Sequence, residues 1–295
     1  MRRPTSVEVM LLSAIGLWAL NLTVTRYILT HGFRPLAYGT VRYALAAAVF
    51  VAITLAAERS LRIVRRDIGI VFAAAATLWV NQIGFVYSLK TTSASVIALI
   101  LAATPIFAAL LGLSLRTERL PGRFWVGAAL SFAGVGLVAL GSGGELRGDL
   151  GGILLGMLTA ATWAVYSMLI APLMRRYSPS RISAVVLSLS VLPIALSGLS
   201  QTTAQDWGLG WKVWVLLVFA TLGPLVVTNV LWFRSLDRIG PSRATLATNL
   251  QPFVAALVAV VLLGESIGAV QVAGGLLIGL GILAARRRQV SPPLD

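Results

Sequence analysis

Residues 105–111 read PIFAALL, and residues 252–258 read PFVAALV. A shift of 147 residues places the two segments on each other without a gap, and the same shift aligns Glu118 with Glu265 and Gly134 with Gly281. Chance alignment of apolar residues does not reproduce proline, glutamate and glycine together. Repetition at a fixed shift indicates a duplicated architecture, and we predict two similar halves, residues 1–142 and 149–288.

The composition indicates a protein whose solvent is lipid. Of all residues, 58% are hydrophobic and only 12% are charged, whereas about 25% are charged in a soluble domain. Apolar stretches of about 20 residues, enough to cross a bilayer, recur along the chain. We therefore predict an all-α polytopic membrane protein with ten transmembrane helices, called spans 1 to 10. They lie near residues 6–30, 35–57, 67–90, 92–115, 121–141, 150–174, 180–200, 211–236, 241–263 and 267–285.

A secretory signal peptide is the alternative interpretation of the first span, because Arg2 and Arg3 precede its apolar run. That run is as long as a spanning helix and many more follow it. We therefore expect span 1 to be retained, without cleavage.

The distribution of basic residues predicts the orientation, since short cytoplasmic loops are enriched in Lys and Arg. With the N-terminus inside, 18 basic residues lie on the cytoplasmic side and 4 outside, and Arg26 and Arg42 lie within spans. We expect a multi-pass protein of the cell inner membrane with both termini in the cytoplasm. Because each half has five spans, the second half must enter from the opposite face. This topology also explains the net charge of +14 without a nucleic-acid partner.

Several kinds of chemistry are excluded by residues that the chain lacks or places in loops. It has no Cys and a single His, His31 in an exterior loop, so thiol chemistry is excluded and we predict no metal site. An intramembrane enzyme would need activated nucleophiles or acids at membrane depth. All ten acidic residues fall in loops or near span ends, so we predict no enzyme activity and no cofactor.

The repeated motifs resemble a known family. Pro105, Phe107, Glu118 and Gly127, with the second-half set Pro252, Phe253, Leu263, Gly264, Glu265, Gln271, Gly274 and Gly281, are similar to the EamA repeat of the drug/metabolite transporter superfamily. Nearly the whole chain is covered, and the layout is similar to that of bacterial exporters of aromatic amino acids. The resemblance implies a secondary transporter in which spans 5 and 10 stand aside as supports. The spacing of Gly275 and Gly279 suits close packing there.

Aromatic and polar residues near mid-span predict a central site. Inverted repeats of secondary transporters carry their substrate near the midplane, between the halves. Trp18, Trp79 and Trp163 lie near the bilayer centre, and polar residues share their faces. Core packing and interhelical hydrogen bonds are the alternatives for single residues. The predicted substrate-binding residues are Trp18, Asn21, Trp79, Gln82, Trp163, Tyr166, Asn229, Thr248 and Asn249.

Further residues predict gates and hinges. Phe85 on span 3 and its repeat equivalent Trp232 on span 8 lie toward opposite faces, as aromatic gates would. Pro105 and Pro252 each free the carbonyl four residues back, so they mark hinges, binding carbonyls or static kinks. Glu118 and Glu265 are expected to cap the next helix or to bind loop donors. Arg42, a charge within a span, could attract a carboxylate.

These residues favour one class of cargo. Amides, hydroxyls and indoles suit a neutral, dipolar or aromatic solute. We predict export of amino acids, including aromatic ones, with broad specificity and by alternating access. Transport would not be coupled to protons or sodium, since coupled transporters commonly hold a carboxylate at membrane depth. Drugs, nucleosides or other small metabolites are the alternative cargo. A non-transporting scaffold is a further alternative, and the oligomeric state stays open.

Overall fold

The computed structural model describes residues 6–91, 94–141, 150–263 and 267–285. In this part of the chain every regular element is a helix. The α-helices are α1 (Ser6–Thr30), α2 (Pro35–Glu58), α3 (Ile68–Thr91), α4 (Ala94–Leu101), α5 (Thr104–Ser114), α6 (Gly122–Gly141), α7 (Leu150–Leu173), α8 (Pro179–Ser197), α9 (Leu199–Thr203), α10 (Trp211–Thr221), α11 (Thr228–Ile239), α12 (Pro241–Thr248), α13 (Gln251–Leu263) and α14 (Ala269–Ala285). A short 3-10 helix (Arg65–Asp67) precedes α3, and a π-helical turn (Leu222–Val227) joins α10 to α11.

The helices account for ten membrane crossings, and the predicted fold class is confirmed. Spans 1, 2, 3, 5, 6, 7 and 10 are α1, α2, α3, α6, α7, α8 and α14. Span 8 is α10, the π turn and α11 together. Seven of the described helical segments are each long and apolar enough to cross a bilayer, namely those of spans 1, 2, 3, 5, 6, 7 and 8. Large apolar side chains cover the outside of the bundle, among them Val261, Leu276 and Leu140, which are 80%, 66% and 57% exposed. In water such a surface would be unfavourable.

Spans 4 and 9 differ from the continuous helices that were predicted. Span 4 is interrupted at Ala102–Ala103, between α4 and α5, and span 9 at Asn249–Leu250, between α12 and α13. Pro105 and Pro252 are the second residues of α5 and α13. A proline is favourable in the first turn of a helix because no N–H is needed there. Each proline therefore starts a new helix.

The two halves meet through α6 and α14. A Cβ added at Gly127 would collide with the backbone carbonyl of Gly281, and one added at Gly134 would collide with that of Gly274. The 147-residue shift exchanges these two contacts, as an approximate two-fold axis between inverted halves requires. Of the two glycines expected to pack closely, Gly275 does so, against the Phe253 ring of α13, whereas Gly279 faces open space.

One end of the bundle, here called the proximal face, is where α1 begins and α14 ends. There, ion pairs join the region from the end of α2 to the start of α3 with the region from the end of α7 to the first turn of α8. Asp67 accepts from Arg176 at 2.8 Å, and Glu58 accepts from Arg181 at 2.6 Å. Asp67 is buried and also accepts the Tyr177 hydroxyl at 2.8 Å. These contacts tie the first half to the second at this face.

At the opposite end, the distal face, the α1–α2 loop is held by glutamines that follow α8. The side-chain oxygens of Gln205 and Gln201 accept the backbone N–H groups of Arg34 and Leu36 at 2.7 and 2.8 Å. Phe33, nearly fully buried, packs edge-on against Trp207 and Trp214. The halves are therefore joined at both faces, and the candidate site lies between these joins.

Candidate functional site

Three tryptophans from three spans meet in the centre of the bundle. Trp18 of α1 lies 6.1 Å from Trp163 of α7 and 5.3 Å from Trp232 of α11, measured between ring centroids. Trp163 and Trp232 are stacked at 6.0 Å with an interplanar angle of 30°. Tyr166 extends the group, with its ring 5.5 Å from that of Trp163. We call these four residues the aromatic cluster. It joins both halves, because Trp18 belongs to the first and the other three belong to the second.

Two polar atoms beside the cluster have no hydrogen-bond partner among the described residues. One is the indole nitrogen of Trp232, a side chain that is 0% exposed, and the other is the buried amide oxygen of Asn21. Asn21 lies one helical turn from Trp18 on the same face of α1. Burying a polar group without a partner costs about 1 to 3 kcal/mol. An indole N–H and an amide oxygen can bind a carboxylate and an ammonium group, respectively.

Trp79 and Gln82 lie on α3, where the side-chain nitrogen of each donates to another side chain. Trp79 Nε1 donates to the hydroxyl of Ser197 on α8 at 2.9 Å. Gln82 donates to the side-chain oxygen of its neighbour Asn81 at 3.1 Å. Asn81, which the sequence analysis missed, is buried and donates to the Thr159 carbonyl of α7 at 2.8 Å. Its position beside Gln82 at mid-span could have identified Asn81 from the sequence.

The polar residues predicted on spans 8 and 9 differ in the groups that they contact. Asn249 Nδ2 donates to the carbonyl of Ala102 at 3.2 Å. These residues occupy the two helix interruptions and are equivalent under the 147-residue shift, so the interruptions meet at the two-fold axis. Thr248 donates to the Thr245 carbonyl within its own helix at 2.6 Å. Asn229 is buried in α11.

The predicted gates and hinges lie at different depths. Trp232 belongs to the aromatic cluster, while Phe85 is a half-buried residue in the distal part of α3. Pro105 and Pro252 flank the two interruptions. The carbonyl of Leu101, which Pro105 leaves without an N–H partner, accepts the Thr104 hydroxyl at 2.6 Å.

A vestibule with a volume of about 1680 Å³ lies at the proximal face. Spans 1, 4, 6, 8, 9 and 10 all contribute to its wall. Its apolar lining includes Leu11, Val165 and Leu236, and each of these lies within two helical turns of a cluster tryptophan on the same helix. The vestibule therefore ends close to the aromatic cluster.

Glu118 lies in this vestibule, in the loop between α5 and α6. Its carboxylate accepts the hydroxyl of Ser242 at the start of α12, so it bridges the two halves. Glu118 was expected to cap the next helix, α6, or to bind loop donors. It instead binds Ser242 of α12, in the other half. Burial raises the pKa of the Glu118 carboxyl, while the hydrogen bonds from Ser242 and the charge of Arg243 act in the opposite direction. The repeat equivalent, Glu265, lies outside the described residues.

Comparisons with known proteins agree with this architecture. The profile of the EamA-like transporter family matches residues 5–140 and again residues 150–287. The uncharacterized transporter YwfM of Bacillus subtilis (strain 168) is 28% identical over 265 residues, covering 86% of each chain. An uncharacterized transporter of Archaeoglobus fulgidus is 25% identical over 289 residues, covering 95% of this chain and 99% of the relative.

A solved crystal structure has the same fold. It superposes with a TM-score of 0.80 at 21% identity, over 96% of this chain and 97% of that one. Two matches to one profile account for the duplicated halves, and the matched family comprises membrane transporters and not enzymes. The chain belongs to the EamA-like transporter family.

Proposed function

We propose that this protein exports amino acids, including aromatic ones, by exposing the aromatic cluster alternately to the two faces of the membrane. The observation that carries the proposal is the meeting of Trp18, Trp163 and Trp232 where the halves join. Two buried polar atoms there have no partner in the part of the chain that the structure describes. Indole faces stack on aromatic side chains. The Trp232 N–H and the Asn21 oxygen supply a donor and an acceptor for the carboxylate and the ammonium group of a zwitterion.

The remaining predicted residues belong to the proposal in supporting roles. Tyr166 orients Trp163 through ring contact, and Gln82, Asn229, Thr248 and Asn249 border the path between the halves, proposed as residues 1–142 and 149–288. Phe85 and Trp232 act as gates, and Pro105 and Pro252 let spans 4 and 9 bend at their interruptions. Trp79 supports span 7 through Ser197.

The comparisons identify a transporter but do not name its cargo. The relatives named above are described as transporters, without a substrate. The resemblance of the layout to the aromatic amino acid exporter YddG supports an aromatic amino acid as the cargo. Localisation in a cell inner membrane, with the proximal face in the cytoplasm, is part of the same proposal.

Flux in proteoliposomes tests the proposal. Radiolabelled tryptophan or phenylalanine should cross vesicles that contain the protein, and Trp163→Ala should reduce this flux by about tenfold. Each lost aromatic contact contributes roughly 0.5 to 1.5 kcal/mol, and 1.4 kcal/mol corresponds to about a factor of ten. Trp211→Ala is the matched control, because Trp211 is 71% exposed at the distal face.

Two results decide the outcome. Absence of flux for every amino acid would rule the proposal out, and a thermal-shift panel over drugs, nucleosides and sugar-linked metabolites would then identify the alternative cargo. We also expect flux to follow the amino acid gradient when no proton gradient is imposed, because the sequence places no carboxylate deep within a span. Strict dependence on a proton gradient would contradict that part.

A further inference from the structure

Span 8 changes its hydrogen-bond pattern at its centre. Between α10 and α11, Leu222–Val227 form a π-helical turn, after which the N–H of Thr228 bonds to the Gly223 carbonyl five residues back. Pro224 has no N–H, so the carbonyl of Ala220, four residues before it, loses its usual partner within the helix. Single π turns inside α-helices occur frequently at functional sites. This turn is therefore a point at which span 8 can bend.

Side chains of the first half bind one carbonyl just before the turn and one within it. Arg42 of α2 donates to the Ala220 carbonyl through Nε at 3.2 Å and through Nη2 at 3.1 Å. Trp18 Nε1 donates to the Pro224 carbonyl at 3.1 Å, which also accepts the Thr228 hydroxyl at 2.5 Å. Side chains of α1 and α2 therefore stabilise the turn through hydrogen bonds to the backbone in it and just before it.

Arg42 is itself oriented by neighbours from the first half. Its guanidinium lies 5.8 Å from the centroid of the Tyr38 ring, and the Tyr38 hydroxyl is 3.2 Å from the Thr25 hydroxyl of α1. A charged side chain within a span is costly unless its donors are bound. Binding to a carbonyl that proline has freed satisfies two of these donors, and it gives Arg42 a role other than attraction of a carboxylate.

The first half has a regular helix at the equivalent place. The 147-residue shift puts the π turn on residues 75–80, which are α-helical within α3. Pro224 corresponds to Thr77, which retains its N–H and whose hydroxyl donates to the Ala73 carbonyl at 2.5 Å. Arg42 corresponds to Leu189. The bending point therefore breaks the symmetry of the halves and belongs to span 8.

We propose that the π turn Leu222–Val227 is a hinge of span 8, that Arg42 is its positioning residue, and that Trp18 links it to the aromatic cluster. The link rests on the proposed function, since the Trp18 ring would stack on the substrate while its N–H holds the Pro224 carbonyl. A solute that moves this ring loosens the hinge, and α11, which carries Trp232, changes its angle to α10. The assignments of the hinge and of Arg42 do not depend on the proposed function, because they rest only on the hydrogen bonds.

Spin labels test the hinge without any substrate. The chain has no cysteine, so Ala57→Cys on α2 and Arg234→Cys on α11, both exposed, provide a single labelled pair. Pulsed electron paramagnetic resonance in nanodiscs should show a distance component that disappears with Pro224→Ala, because alanine restores the N–H and a regular helix. Pro172→Ala near the end of α7 is the matched proline control and should keep the component. An unchanged distribution in Pro224→Ala would overturn the hinge.

Arg42 is tested through its dependence on Pro224. Arg42→Met should shift the distances when Pro224 is present and have little effect in the Pro224→Ala background, where the Ala220 carbonyl has an N–H partner again. A purely structural arginine would shift them equally in both backgrounds, which would overturn its assignment. Should Arg42→Met fail to fold, Arg42→Lys, which keeps one donor, should fold and give a smaller shift, and the double variant Arg42→Met/Pro224→Ala should fold.

Transport separates the hinge from the proposed cargo. Pro224→Ala should slow tryptophan flux by roughly threefold to tenfold, the equivalent of one interhelical hydrogen bond, while the thermal shift caused by tryptophan is retained. Unchanged flux would overturn the hinge. If Pro224→Ala removes the distance component but wild-type protein carries no amino acid, the hinge stands and the proposed cargo is wrong.

Discussion

Trp232 is the residue at which stability and function should oppose each other. Its indole nitrogen is buried without a partner among the described residues, and an unmet donor of this kind destabilises a protein by about 1 to 3 kcal/mol. Trp232→Phe keeps a ring in contact with Trp18 and removes the donor. We expect a higher unfolding temperature together with weaker tryptophan binding, measured by thermal shift. Lower stability with unchanged binding would instead identify Trp232 as core packing.

Glu118 predicts how stability depends on pH at the proximal face. Burial raises the pKa of its carboxyl above the ordinary value of 4.5, so the folded state favours the neutral acid. The stabilisation is therefore fully present below pH 4.5 and is lost as the pH rises through the folded pKa. Glu118→Gln keeps an oxygen for Ser242 without the charge.

The expected result is a difference that grows with pH. Relative to Glu118→Gln, the wild-type unfolding temperature should fall as the pH rises above 4.5 and should level off above the raised pKa. The measurement is thermal unfolding of both proteins in the same detergent over a series of buffers. A difference that is constant with pH, or that changes in the opposite direction, would contradict the burial of this carboxyl.

At the scale of elements, the contact between the two interruptions should stabilise spans 4 and 9. Asn249→Ala removes the hydrogen bond to the Ala102 carbonyl, and interhelical hydrogen bonds in membranes contribute about 0.6 to 1.7 kcal/mol. We expect a loss of stability in that range by chemical unfolding. Thr248→Val is the control, since its hydroxyl donates to the Thr245 carbonyl within α12, and a loss as large as that of Asn249→Ala would contradict the assignment.

The sequence predicted these elements well where apolar length decides them. The ends of α1, α2, α6 and α14 agree with the predicted spans to within two residues. The interruptions of spans 4 and 9 were not predicted, although their prolines were recognised. Whether a mid-span proline kinks a helix or starts a new one depends on which groups bind the carbonyls around it. Here one such group is Asn249, which binds the Ala102 carbonyl and lies 147 residues away from it in the sequence.

The candidate site was predicted in part for a related reason. A tryptophan at mid-span is visible in the sequence, so Trp18 and Trp163 were identified, and the structure joins them to Trp232. The direction in which a side chain points is harder to predict when a helix is apolar on every side. The bond from Trp79 to Ser197 on α8 was therefore not predicted, and Asn81 was overlooked in favour of its neighbour Gln82.

For the whole molecule, the packing of α6 on α14 should be a rigid support. Gly127→Leu would place a side chain against the Gly281 backbone, and overpacking of this kind costs about 1 to 3 kcal/mol. Gly279→Leu on the opposite surface of α14 is the matched control, because that position faces open space. Thermal unfolding should therefore separate the two variants, and equal effects would contradict a close contact between these helices.

The inverted arrangement makes one prediction that concerns the entire chain. Arg65 and Lys212 are equivalent under the 147-residue shift and are both exposed. Because each half crosses the membrane five times, equivalent positions must lie on opposite faces. The excess of basic residues on the proximal side predicts that Arg65 lies in the cytoplasm.

Single cysteines in this cysteine-free chain distinguish the inversion from the orientation. In intact cells an impermeant maleimide should label Lys212→Cys at once, and it should label Arg65→Cys only after the membrane is permeabilised. Labelling of both variants in intact cells would mean that the halves are parallel and would contradict the fold. The reverse pattern would keep the inverted halves and place the termini outside, so that the vestibule of Glu118 would open to the exterior.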